Sequence, residues 1–262
     1  MQANDELVCL RIAEASYLGQ MEQQLVQSGS LEQELSKSGY AFVRSGTMRR
    51  ALEAVGPLTD WAAFAASWND LAPDEYLTEQ RYRRRRFAVY AIAPDGGVER
   101  RPHQPHYQHR DYNPLFGGIE RWFEPVAAGV GTAQCMTTIL RFCDRLFRTQ
   151  MRAAGTWHVE VHQFRIEARA DAPGHPTPEG VHHDGVDFVL VLLVNRHNIA
   201  SGTTTVYASD SRPLGSFTLT DALDAALVDD HRVAHGVTPI VPLDRAQPGY
   251  RDVLVVTLRT TD

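Results

Sequence analysis

Phe188-Val189-Leu190-Val191-Leu192-Leu193-Val194 is an unbroken run of seven apolar residues. It is far too short to cross a membrane, which takes about 18 or more. A short continuous apolar run is the mark of a strand buried on both faces. A chain carrying such a strand must supply cover for two sides of a sheet. The residues around it offer more strands. His158–Ala168 alternates, Thr203–Tyr207 is β-branched, and further strands are expected at Gly215–Leu219, around His231–Ile240 and at Arg251–Leu258. Many short strands with regular turns point to a sandwich or barrel of the jelly-roll kind.

Helices are expected ahead of these strands. Residues 5–38 read as helical, with Ser30 and Gln33 placed as a capping box. Tyr40–Arg44 looks like a strand and residues 47–54 like a helix. Trp61, Phe64 and Trp68 fall at i, i+3 and i+7, the core face of another. Met136, Ile139, Leu140, Cys143, Leu146 and Phe147 mark the clearest helix, over 132–152, with Cys143 a buried small hydrophobe. The expected class is therefore α+β. One domain over 1–262 is the simplest division, with a helical and strand part (1–155) meeting the jelly-roll strands (156–262) without a flexible linker.

A net charge of −6 argues against a general nucleic-acid binder. No stretch has the length of a membrane span, and the first residues lack the basic and apolar regions of a secretory signal. The three cysteines, Cys9, Cys135 and Cys143, show no C-x-x-C spacing. A reduced, cytoplasmic setting is the expectation. Nothing in the sequence sets an oligomeric state.

Chemistry concentrates just before the apolar run. His182-x-Asp184 puts an imidazole and a carboxylate two residues apart, on one face of an extended segment. His183 falls on the opposite face from Asp184, and Asp187 could serve as a ligand only through a turn. A third ligand must come from elsewhere, and His235, 53 residues on, is the best candidate. His231 has the same strand parity, so periodicity does not separate the two. Two His and one carboxylate on one face of a metal leave positions open, as in non-haem Fe(II) oxygenases. Those positions suit a bidentate 2-oxo acid and O₂. A buried dicarboxylate also needs a cation at its far end. Arg251 fits that role, with Arg245 as the runner-up. Zinc in a hydrolase on a cupin-like barrel, and a metal-free binding module, are the competing readings.

Three other stretches stand out. Arg81-Tyr82-Arg83-Arg84-Arg85-Arg86 leads into the strand Phe87–Ile92. It reads first as a solvated strand edge and second as a partner for an anionic substrate. His103-Gln104-Pro105-His106-Tyr107-Gln108-His109 reads as a loop rather than a metal site. Asn113-Pro114-Leu115-Phe116-Gly117-Gly118 has turn chemistry.

Several of these stretches, in order, resemble the bacterial 2-oxoglutarate/Fe(II)-dependent dioxygenase family of the L-isoleucine 4-hydroxylase type, the free amino acid hydroxylases. They are Arg81–Phe87, Asn113–Arg121, Glu179–Phe188, Val194–Asn198, His235–Ile240 and Arg251–Leu254, spread over roughly residues 35–260. The resemblance implies a double-stranded β-helix core with packed N-terminal helices. It implies Fe(II) held by His182, Asp184 and His235, so it selects His235 over His231. It also implies 2-oxoglutarate as co-substrate, its 5-carboxylate on Arg251, with O₂ as oxidant. The expected reaction hydroxylates an unactivated C–H bond of an L-amino acid, free and aliphatic, and releases succinate and CO₂. Desaturation or cyclisation of a modified amino acid is the variant. A free amino acid needs a cationic and an anionic partner, and Arg121, Arg165 and Glu160 are the candidates. Ser201-Gly202-Thr203-Thr204 departs from the turn this family is expected to carry.

Overall fold

The computed structural model describes residues 31–77, 82–112, 115, 117–151 and 155–261. The expected helix over 5–30, its Ser30 cap, Cys9, Arg81 and most of the Asn113–Phe116 turn lie outside the described residues. Helix α1 (residues 31–38) is followed by β1 (Tyr40–Val43), α2 (Ser45–Glu53) and α3 (Trp61–Ala66). Next come β2 (Ala72–Pro73), β3 (Arg83–Ile92), β4 (Val98–Arg100), α4 (Ala128–Gly131) and α5 (Gln134–Arg148). From there the chain is β-rich: β5 (Thr156–Ala168), β6 (Phe188–His197), β7 (Ile199–Ser201), β8 (Thr203–Ala208) and β9 (Pro213–Thr218). It continues with β10 (Ala225–Asp229), β11 (Val233–Val237), β12 (Ile240–Pro242) and β13 (Gly249–Thr261).

The large sheet runs β1-β10-β6-β13-β5-β3-β2, with β4 on β3. The smaller sheets are β11-β8-β9 and β12-β7, and every ladder is antiparallel. This is the expected jelly-roll core with helices packed on it. β3 is an inner strand between β5 and β2, which overturns the reading of the Arg run as a solvated edge.

Alternation along the central strands decides what meets what. Leu190, Leu192 and Val194 of β6, Leu254, Val256 and Leu258 of β13, and Val159 and Val161 of β5 share one core with Met136, Ile139, Leu140, Cys143 and Phe147 of α5. Val189 and Val191 face the other way and pack with Val206 of β8 and Val233 of β11. The apolar run is thus covered by helices on one side and by the small sheet on the other. Each fully buried aliphatic side chain here contributes about 1.5–3 kcal/mol. Cys143 sits in this core, its thiol pushed well up by burial, as a packing residue.

Phe147 anchors the helical layer. It is fully buried and stacks on Phe188 with ring centroids 4.7 Å apart. Phe147→Ala should destabilise the protein by about 3–5 kcal/mol. Urea unfolding should show a lower midpoint with an unchanged slope; a loss below about 1 kcal/mol would mean the helix is not part of the cooperative core.

Candidate active site

His182 stands outside the named strands, so its side of the pair is set by a single bridge rather than by a continuous strand. His182 N–H donates to the His235 carbonyl and His235 N–H to the His182 carbonyl, both at 3.0 Å. This bridge brings the two rings to 4.7 Å between centroids. Asp184 completes the group: its Oδ1 is 3.7 Å from His182 Nε2 and its Oδ2 3.8 Å from His235 Nε2. One ligand atom from each residue falls within 4.8 Å of the others. His182 Nδ1 lies 3.1 Å from the Gly180 carbonyl and donates to it, which aims Nε2 at Asp184. The Asp230 carboxylate accepts the backbone N–H groups of Asp184, Gly185 and Val186, at 2.9, 2.7 and 3.2 Å, and so fixes the ligand turn. Gly185 has φ +79°, and a Cβ there would lie 2.5 Å from the Tyr112 ring, so only glycine fits.

The competing side chains are engaged elsewhere. His183 Nδ1 donates to the Asp230 carbonyl at 2.6 Å. His231 Nε2 meets Asp187 Oδ1 at 2.7 Å, and Asp187 also accepts from Thr260 N and Oγ1. Burial would raise the Asp184 carboxyl, but the facing imidazoles of His182 and His235 hold it down to about 2. Burial would lower His182, yet Asp184 and Glu179 raise it to about 9. Burial takes His235 down to about 4.

The triad opens on a cavity of about 370 Å³ between the large and small sheets, a volume in the range of small-molecule sites. Arg251 lines it from β13. It is only 2% exposed, and its Nε and Nη2 have no hydrogen-bond partner. Burial and the charge of Arg196 lower its pKa to about 10. A buried guanidinium with open donors is a receptor for a carboxylate. Arg245 is exposed on the loop before β13 and does not reach this cavity.

Glu160 and Arg121 also line the cavity. Arg121 Nη2 donates to Gln108 Oε1 at 2.9 Å, and Gln108 Nε2 donates to the Asp184 carbonyl at 3.3 Å, which ties Arg121 to the ligand turn. Arg165 is not brought to the site. It lies five residues from Glu160 on the same strand, hence on the opposite face, and is held by Asp252 at 2.7 Å through both Nε and Nη2. The same parity splits the Arg run of β3. Arg83 and Arg85 line the cavity, whereas Arg84 and Arg86 pair with Glu167 and Asp70.

The sequence shows Arg85 and His106 only as members of the Arg run and the His-rich loop, and His162 only as part of an alternating strand. Arg85 is 3% exposed, lies 3.5 Å from the Phe123 ring centroid and 2.7 Å from His162 Nδ1. His106 comes from the His-rich loop and meets Glu160 at 2.8 Å. Period-two spacing of His158, Glu160 and His162 on β5 was the available signal; nothing in the loop's sequence marks His106.

The family model for 2OG-Fe dioxygenases matches residues 65–257. The chain belongs to that family. The dioxygenase is an oxidoreductase of a group that works with Fe(II), 2-oxoglutarate and O₂. It is 24% identical over 236 residues to the 3(1)-hydroxy-L-isoleucine 4-dioxygenase of Pantoea ananatis (strain AJ13355), covering 87% of this chain and 94% of that one. The crystal structure of a BsmA homologue from Methylobium petroleophilum PM1 is 34% identical, with TM-score 0.79 over 89% of this chain and 93% of that one. The IDO structure from Bacillus thuringiensis shares the fold at 18% identity, with TM-score 0.73 over 90% and 100% of the two chains. The residues present fit the family's metal and co-substrate: two imidazoles and a carboxylate converge at the cavity, beside a buried guanidinium with open donors.

Metal loading should release a proton. Free of metal, His182 is protonated at pH 7 because its pKa is raised to about 9, while His235 and Asp184 are already in their ligand forms. Apparent Co(II) affinity should rise about tenfold per pH unit from pH 7 and level off near pH 9. Calorimetry in buffers of different ionisation enthalpy should count about one proton released per ion at pH 7 and none above pH 9.5; no proton at pH 7 would contradict the His182–Asp184 pairing.

Proposed function

We propose that this dioxygenase hydroxylates an unactivated C–H bond of a free aliphatic L-amino acid, while 2-oxoglutarate is decarboxylated to succinate and CO₂. The observation that carries the reading is the shared cavity, which joins the His182, Asp184 and His235 donor set to the open donors of Arg251. The Pantoea relative, named for a hydroxylated isoleucine, supports the amino acid class. In this reading His182, Asp184 and His235 hold Fe(II), and Arg251 receives the 5-carboxylate of 2-oxoglutarate. When bound, the iron supplies the chemistry that activates O₂. The chain positions the two organic acids and keeps water from the reacting centre. Arg251 pairs across the ladder with Ile166 and Thr257 with Glu160, so the two charged ends of the cavity wall lie six residues apart along β13. That separation, on the order of 20 Å along the strand, leaves Arg251 to the co-substrate and Glu160 with Arg121 to the amino acid.

The same reading makes residues 1–262 one catalytic domain working in the cytoplasm. Among the described residues no helix is long and apolar enough to cross a membrane.

The test is a panel of L-amino acids incubated with Fe(II), 2-oxoglutarate and O₂, followed by succinate and by mass. A substrate should gain one oxygen; loss of two hydrogens would mark desaturation or cyclisation. If no amino acid stimulates succinate formation at full iron occupancy, the reading is wrong. Arg251→Met should raise the KM for 2-oxoglutarate by about 100-fold, the loss of two charge-assisted hydrogen bonds, with iron content unchanged. An unaltered KM would remove Arg251 from the role.

A further inference from the structure

Among the described residues a second group of titratable side chains lies beside the triad: buried His106 and His162 with half-buried Glu160, and Arg85 behind them. One atom from each of the first three falls within 4.8 Å of the others, so by composition the group could be a second metal centre. Its hydrogen bonds argue against that. A guanidinium only donates. Arg85 Nη2, 2.7 Å from His162 Nδ1, therefore leaves Nδ1 as the acceptor and the ring proton on Nε2. That Nε2 faces Glu160 Oε2 at 3.6 Å. His106 Nδ1 approaches the same oxygen at 2.8 Å, where it donates. Both nitrogens turned toward Glu160 thus carry protons instead of the lone pairs a metal requires. Arg85 and Arg121 add positive charge at the place where a dication would sit.

The group supplies a charged carboxylate with acceptor capacity left over. Glu160 Oε2 takes the His106 bond, while Oε1 is met by His158 Nε2 at 3.6 Å, beyond hydrogen-bond range. An ionised carboxylate accepts about four hydrogen bonds. The Glu160 side chain keeps 15% exposure, and it faces the cavity. Burial would raise its pKa, but the three imidazoles hold it well below the usual carboxylate range.

We propose that Glu160 receives the ammonium group of the amino acid, with His106 orienting the carboxylate by its hydrogen bond, His162 by the Nε2–H dipole that faces it, and Arg85 fixing the tautomer of His162. The inference rests on the amino acid reading above and narrows it: the substrate's amine is unsubstituted and protonated. A neutral group of the same size forfeits the charge-assisted hydrogen bond to the Glu160 carboxylate, which penalises it. His106 and His162 are positioning residues for Glu160, and Arg85 is one for His162.

The test uses the Fe(II)·2-oxoglutarate protein without oxygen. Calorimetry measures binding of the free L-amino acids, and each binder is compared with its 2-hydroxy acid analogue, which replaces only the amine. The wild-type protein should favour the amine by at least about 30-fold. Glu160→Gln should reduce that preference to within about threefold, while iron content and 2-oxoglutarate affinity stay unchanged. Arg85→Met should lower the preference by about tenfold, and Arg85→Lys, which keeps a donor, should restore part of it. A hydroxy analogue bound as tightly as the amine overturns the inference, as does a preference untouched by Glu160→Gln. A second metal ion per chain that disappears with Glu160→Gln overturns it too. Amino acid turnover with that preference untouched sinks this inference alone. Neither binding nor turnover with any amino acid sinks the amino acid reading as well.

Discussion

The two buried faces of β5, β6 and β13 are the constraint on which the molecule depends. On one face a continuous hydrocarbon core joins these strands to α5. On the other they form the floor of a polar cavity. A strand alternates with period two, so each core residue obliges its neighbours to look into the cavity. Along β5, Trp157, Val159 and Val161 are core, and His158, Glu160 and His162 are therefore site. Along β13, Leu254, Val256 and Leu258 are core, and Arg251, Val253, Val255 and Thr257 follow on the other side. The helices thus set the site indirectly, by settling which way each strand faces.

Much of this could be read from the sequence, because periodicity and ligand chemistry are local signals. The apolar run at Phe188–Val194 implied two covered faces, and the spacing of α5 implied the cover for one. His182, Asp184 and His235 stand together as their residue types suggested, although a backbone bridge, rather than a strand through His182, aligns them. Other features were not legible because they depend on partners far away in the chain. Asp187 and Asp230, which draw off His231 and His183, became recognisable only once the loops were placed. Arg165 looked equivalent to Glu160 by composition, though strand parity alone could have separated them. His106 is separated from Glu160 by 54 residues, and no local pattern encodes that meeting.

The charges of the site follow one logic. Arg83, Arg85, Arg121, Arg251 and, at the exposed end of β13, Arg259 line the cavity, against Glu160, Glu179 and Asp184. Arg83 is neutralised from behind by the fully buried Asp74, at 2.8 Å. Arg85 rests on the Phe123 and Phe164 rings, where the quadrupole of an aromatic face favours a cation. Arg251 has neither arrangement, and burial pulls its pKa down. The site therefore holds its arginines at different degrees of compensation, and the least compensated lies where a second carboxylic acid has the most to offer.

The position of β13 has a consequence for how the chain acquires its structure. This strand, residues 249–261, lies between β5 and β6, so the two halves of the large sheet meet only through it. During synthesis β5 and β6 leave the ribosome long before their shared neighbour. Until residue 261 emerges, each presents an unpaired edge and an incomplete cavity wall. The sheet cannot close by local pairing alone, because β5 and β13 join positions about a hundred residues apart, the long-range contact that slows folding. Arg251 travels on that late strand, so the buried guanidinium of the cavity and the core are completed in the same event, and the nascent chain has no finished cavity before it has a fold.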